Sequence, residues 1–173
     1  MTGDEKIDCR DEGTVSMLYQ RLGRPALSKT LYLVGQRNVA EEIVQETFVK
    51  LWQKKPVFES LRQAYAWVYR CCTNSAIDHL RSKGNQTLEL EAEQTAESIG
   101  LDLEQKTDLK KTWKEILDTL NEKEAELFVY RSVEGMSQDE VAEVMGISRR
   151  TVNRIQDKLA KKISKIQERR HAG

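Results

Sequence analysis

Arg149, Arg150, Thr151, Asn153, Arg154 and Lys158 project from the polar side of a short segment whose apolar positions are Val152 and Ile155. These side-chain types suit duplex DNA. Arginine can donate two parallel hydrogen bonds to guanine, asparagine can pair with adenine, and lysine and threonine can hold phosphate. The residues just upstream meet the demands of a helix-turn-helix. The crossing of two helices needs a small residue, here Ala142. The turn needs a residue at ease with positive φ, here Gly146. Val141, Met145, Ile147, Val152 and Ile155 can fill the wedge between the helices, and Ser148 can cap the second helix, which then begins near Arg149. Lys161, Lys162, Lys165, Arg169 and Arg170 extend the positive tract. By themselves these residues also fit an amphipathic hairpin with a solvated basic face.

Two other constellations could make contacts. Glu41, Glu42, Gln45 and Glu46 lie on the outer side of a strongly apolar helical pattern, a face suited to a basic protein partner. A solvated acidic face that complements the helix dipole explains them equally well. Trp67, Arg70, Asn74, Asp78 and Arg81 recur mostly every three or four residues. An aromatic ring with amides and cations suits unstacked bases, where rings stack and amides read base edges. The alternative is a core tryptophan beside a surface ion pair. Catalytic and metal chemistry find little support. His79 and His171 have no ligand spacing, and Cys71 and Cys72 diverge by about 100° on one helix. No glycine-rich phosphate loop and no nucleophile elbow occur, so neither enzyme activity nor a cofactor or metal is expected.

The elements that must position these residues are helices nearly throughout. Val39, Ile43, Val44, Thr47, Phe48, Leu51 and Trp52 make one apolar stripe, with Asn38 and Glu41 as a capping box and Pro56 beyond its end. Leu61, Tyr65, Val68, Cys72, Ala76 and Leu80 make another, opened by Ser60 with Gln63. Upstream, one short stripe ends at Gly23 and the next is opened by Pro25 and ended at Gly35, so four helices are expected before residue 83. Asn121 with Glu124 and Ser137 with Glu140 are further capping signals, and no strand is evident.

The chain has 173 residues, apolar residues are 39% and charged residues 32%. Lys+Arg and Asp+Glu are 28 each, which excludes a uniformly basic coat but not a basic face. The charge is segregated. Between residues 84 and 109, Lys106 stands against Glu89, Glu91, Glu93, Glu97, Asp102, Glu104 and Asp108, whereas the segment from 145 onward is strongly basic. The expected organisation is all-α: an acidic tail (1–12), a four-helix domain (13–83), a flexible acidic linker (84–108) and a helix-turn-helix domain (109–173). No apolar run reaches the ~20 residues of a membrane span, and the polar N-terminus does not read as a signal peptide. Cys9, Cys71 and Cys72 read as free thiols in a reducing cytoplasm.

Taken together, these pieces resemble bacterial RNA polymerase sigma factors of the extracytoplasmic-function group. Asn38–Trp52 (NVAEEIVQETFVKLW) resembles region 2.2, Ala66–Ser82 (AWVYRCCTNSAIDHLRS) regions 2.3 and 2.4, and Leu120–Ile163 region 4. The resemblance implies a promoter-recognition subunit that is not an enzyme. It implies that Glu41, Glu42, Gln45 and Glu46 dock on the β′ clamp helices of core polymerase. It implies that the minus-10 element is melted and read by Trp67, Arg70, Asn74, Asp78 and Arg81, with Phe58 and Asn74 at pocket positions beside a loop over 55–64. Ser148, Arg149, Arg150, Thr151, Asn153, Arg154 and Lys158 would read the minus-35 element while the C-terminal domain meets the β flap. The acidic linker would follow the RNA-exit path, and an anti-sigma factor is a further partner that the family implies.

Overall fold

The computed structural model describes residues 6–82 and 113–172, without the side chains of Arg170 and His171. The linker expected over 84–108 lies outside the described residues. The chain runs β1 (Ile7–Asp8), α1 (Glu12–Val34), α2 (Arg37–Lys54), β2 (Val57–Phe58) and α3 (Leu61–Ser82), then a helical segment over 113–119. There follow α4 (Glu122–Phe128), a π-helical turn (Val129–Val133), α5 (Gln138–Met145) and α6 (Arg149–His171). The chain divides into two compact units, Met1–Ala76 and Ile77–Gly173, so the division falls inside α3.

In the N-terminal unit α1 is one helix where two were expected. Asp11 caps it by accepting from the Thr14 amide, and Gly35, at φ 72°, ends it. Gly23 and Pro25 lie within it, but the buried face of Leu18, Leu22, Ala26, Thr30 and Leu33 crosses them without a change of phase. Pro25 has no amide hydrogen to offer the carbonyl of Arg21, but both residues lie on the exposed side of the helix. Burial on one side therefore outweighs the local breakers.

The capping box expected from Asn38 and Glu41 does not form. The left-handed turn at Gly35 brings the chain into α2 directly, with Gln36 as N-cap and Arg37 as the first helical residue. Asn38 is already inside the helix, and its Oδ1 accepts from the Val39 amide, while Glu41 takes the Arg37 guanidinium at 2.8 Å. At the start of α3, Ser60 accepts from the Gln63 amide as expected, and Gln63 accepts from Glu59 rather than from Ser60. Two short strands were also not expected. Ile7 pairs antiparallel with Phe58 and Asp8 with Val57, and Cys9 donates its amide to the Pro56 carbonyl. Ile7 and Cys9 are buried, so residues 6–11 pack on the unit instead of trailing as a tail.

The C-terminal unit follows its capping signals closely. The Asn121–Glu124 and Ser137–Glu140 boxes both form, each with the side chain and backbone hydrogen bonds exchanged. Gly146 ends α5 at φ 64°, and Ser148 caps α6 by accepting from the Thr151 amide. Val141, Met145, Val152, Ile155 and Leu159 are buried, with Leu127, Val129 and Tyr130 of α4 and the π-turn among the most enclosed side chains of the unit.

Candidate nucleic-acid and polymerase interfaces

α6 starts abruptly because the Ser148 hydroxyl accepts from the free Thr151 amide and Gly146 turns the chain just before it. Three buried residues, Val152, Ile155 and Leu159, hold the helix against the unit. Arg149, Arg150, Asn153, Arg154 and Lys158 are consequently all exposed. Ser148 and Thr151 are engaged in the cap, with their hydroxyls 2.9 Å apart. The Gln138 amide donates to Gln156 at 3.1 Å and ties α5 to α6. Arg149 donates to Asp139 at 3.4 Å, a partner the sequence reading did not single out.

The positive tract is interrupted by one lysine. Lys162 turns inward and donates to Glu124 at 2.6 Å and to the Thr119 carbonyl at 3.3 Å. Glu124 is buried and belongs to the Asn121 capping box. Burial raises its carboxyl pKa, but the Lys162 hydrogen bond, the Asn121 amide and the charges of Lys162 and Lys158 outweigh it and hold the group below its usual range. Lys162 therefore braces α4 against α6 and is not part of the free basic face.

In the N-terminal unit, Val39, Ile43, Val44, Thr47, Phe48 and Leu51 are buried as the stripe requires. Trp52, expected with them, is instead 50% exposed, as is Val49. Glu42, Gln45, Val49 and Trp52 succeed one another at intervals of three and four, so they share one outer face with Glu46. That spacing was the available signal for Val49 and Trp52, and a tryptophan adjoining a core stripe masked it. Glu42, Gln45 and Glu46 are exposed, while Glu41 is half-buried and held by Arg37. Beside this face Tyr19, Arg24, Leu27, Glu41, Val44 and Gln45 line a groove of about 380 Å³ between α1 and α2.

The expected base-reading residues are dispersed in role. Phe58 is buried, fixed by its strand pairing with Ile7, and its ring centroid lies 6.1 Å from that of Trp67. It thus supports Trp67 and does not project into solvent. Trp67, Arg70 and Asn74 are half-buried along α3, and Asp78 is exposed. Arg81 is used otherwise. Within the C-terminal unit its guanidinium donates to the carbonyls of Leu117 at 3.0 Å and Leu120 at 2.7 Å, while Lys114 donates to the Arg81 carbonyl at 2.8 Å. Arg81 and Lys114 cap the ends of each other's helices. No cluster of three or more metal-ligating side chains occurs among the described residues. Burial pushes the thiols of Cys9, Cys71 and Cys72 up, which opposes thiolate chemistry.

Comparison with known proteins gives this arrangement a family. The model of Sigma-70 region 2 matches residues 18–86, and that of Sigma-70, region 4 matches residues 116–165, together more than half of the chain. The chain belongs to the sigma-70 family. The resemblance to the extracytoplasmic-function group agrees with both matches, and members of this family are transcription-initiation factors, not enzymes. A probable RNA polymerase sigma factor of Haemophilus influenzae is 35% identical over 60 residues, which cover 35% of this chain and 31% of that relative. The match thus spans about a third of the relative's length. The fold of this sigma-70 family chain is similar to that in the structure of CnrH in complex with the cytosolic domain of CnrY. The TM-score is 0.51 at 23% identity, over 91% of this chain and 90% of that one. No helix among the described residues is long and apolar enough to cross a membrane.

Proposed function

We propose that this chain is a promoter-recognition subunit that binds core RNA polymerase, reads the minus-35 and minus-10 elements and helps to open the DNA, acting in the cytoplasm. The observation that carries this reading is the presence, in one sigma-70 chain, of two exposed faces of opposite charge. α2 presents carboxylates with Val49 and Trp52, and α6 presents Arg149, Arg150, Asn153, Arg154 and Lys158 from a rigid cap. The first face and the adjoining groove suit the β′ clamp helices, because apolar contact and charge complementarity coincide there. The second suits the major groove of the minus-35 element. Trp67, Arg70, Asn74 and Asp78 are proposed to contact the minus-10 strand, with Phe58 as the support beneath Trp67. Residues 13–83 and 109–173 are the proposed functional domains, the latter also meeting the β flap.

An anti-sigma partner is proposed on the family resemblance and on the complex in which the structurally similar CnrH is found. The test of the main reading is reconstitution. The purified chain, mixed with core polymerase, should co-elute with it on gel filtration and support run-off transcription from its own promoters. A chain that stays separate from core polymerase yet binds free duplex as a dimer would instead be a regulator outside the enzyme.

A further inference from the structure

We propose that Asp139 is a positioning residue that holds Arg149 as the guanine-reading fork of α6. This rests on the reading of α6 as the minus-35 helix. Arg149 is the first residue of α6, and its backbone is fixed by the Ser148 cap. Its guanidinium meets the Asp139 carboxylate at 3.4 Å. Asp139 is free for this role because Glu140, not Asp139, completes the capping box of α5 with Ser137. Both partners are largely exposed, at 62% and 72%. An ion pair so exposed adds little to stability in water, so folding does not account for it.

Against DNA the same contact has a clear use. A guanidinium carries five donors, and one occupied by the carboxylate leaves others for O6 and N7 of guanine. A side chain already oriented loses less rotamer freedom on binding. The carboxylate also repels phosphate, which keeps Arg149 from swinging onto the backbone. Among the described residues no ion pair like that of Arg149 is formed by Arg150 or Arg154. The first two turns of the helix thus carry two kinds of arginine, Arg149 braced for a base and Arg150 and Arg154 free to reach phosphate or base as the groove allows.

The experiment is transcription by reconstituted holoenzyme from a library of minus-35 variants, with Asp139→Asn, Arg149→Ala, the double variant and Arg150→Ala. Helicity and melting temperature of each full chain are checked alongside. Asp139→Asn should lower the preference for guanine by up to about fivefold at one position, the same position that Arg149→Ala relaxes more strongly. The double variant should show no loss beyond that of Arg149→Ala alone. With its brace gone, Arg149 becomes available to phosphate, so Asp139→Asn should steepen the salt dependence of binding by up to about one released counterion. If Arg149→Ala relaxes a position and Asp139→Asn leaves all preferences intact, or if the two effects simply add, the brace is refuted while the minus-35 reading stands. If neither Arg149→Ala nor Arg150→Ala changes any base preference, the minus-35 reading itself fails.

Discussion

α2 and α6 are both long amphipathic helices, of 18 and 23 residues, but they divide their surface differently. α2 buries seven residues, so it is a central wall of its unit. Its outer face joins Glu42, Gln45 and Glu46 to the exposed Val49 and Trp52. α6 is attached mainly through Val152, Ile155 and Leu159, and its outer face is basic with no large apolar side chain. A protein surface can exclude water from a tryptophan and a valine, and aromatic residues commonly dominate such contacts. A phosphate-lined groove stays wet and rewards cations and amides. The difference between the two helices is therefore a difference in the solvent their partners leave behind.

The largest effect should come from breaking the face of α2. Glu42→Lys combined with Glu46→Lys should weaken binding to core polymerase by ~30-fold or more, the scale of an interface hot spot. Trp52→Ala should weaken it separately. Because Glu42 and Glu46 are exposed, the double charge reversal should shift stability by no more than ~0.5 kcal/mol. Titration of labelled protein with core polymerase, beside a thermal melt, checks both. Unchanged core affinity in all of these variants would remove α2 from the interface and collapse the contrast with α6.

A second test separates the two kinds of lysine on α6. Lys162 is committed to Glu124 and Lys158 is exposed. Glu124→Ala removes a charged hydrogen bond and half of a capping box and should cost ~1–3 kcal/mol, whereas Lys158→Ala should cost little. The folded pKa of Glu124 lies below its usual value, so the stability it contributes is present above that usual value. That stability is lost as pH falls through the folded pKa. Urea unfolding at neutral pH and below pH 4 should show a steeper acid loss for the wild type than for Glu124→Gln. Parallel acid dependence in the two proteins would mean that Lys162 gives the pair no net stabilisation.

What the sequence revealed follows from the range of each interaction. The helix-turn-helix was legible because its constraints are local: Gly146, Ser148, Ala142 and the two capping boxes are separated from their partners by only a few residues. The exposed basic residues of α6 followed from the same periodicity. Trp52 was misread because an apolar residue at the edge of a stripe is buried or bare according to what packs beside it. The strand pairing of Ile7 with Phe58 spans about fifty residues, and two-residue strands carry no alternation to detect. Arg81 read as a base-contacting residue or half of a surface ion pair, and Lys162 as part of the positive tract, since the carbonyls and the carboxylate that engage them lie nearly forty residues away. Gly23 and Pro25 misled for the opposite reason: the local breakers were visible, while the continuous burial that overrides them is tertiary.

The smallest expected effect compares how α2 and α5 end. Both close on a residue in the left-handed region, Lys55 at φ 45° and Gly146 at φ 64°. A Cβ at Gly146 would meet nothing within 4 Å, so Gly146→Ala tests backbone strain alone. It should destabilise by ~1–2 kcal/mol. Lys55→Gly relieves strain of the same kind, but two terms oppose the gain. The glycine frees the unfolded chain by ~0.4–1 kcal/mol. The Lys55 ammonium, 5.8 Å from the Trp52 ring centroid, also gives up an exposed cation–π contact worth ~0.5 kcal/mol. The terms nearly cancel, and the shift should stay within about 0.5 kcal/mol of zero. Urea denaturation with a common m-value measures both variants. A loss at Lys55 as large as that at Gly146 would show that the lysine side chain, through Trp52, holds the end of α2 in place and belongs to the same exposed face that the polymerase is proposed to meet.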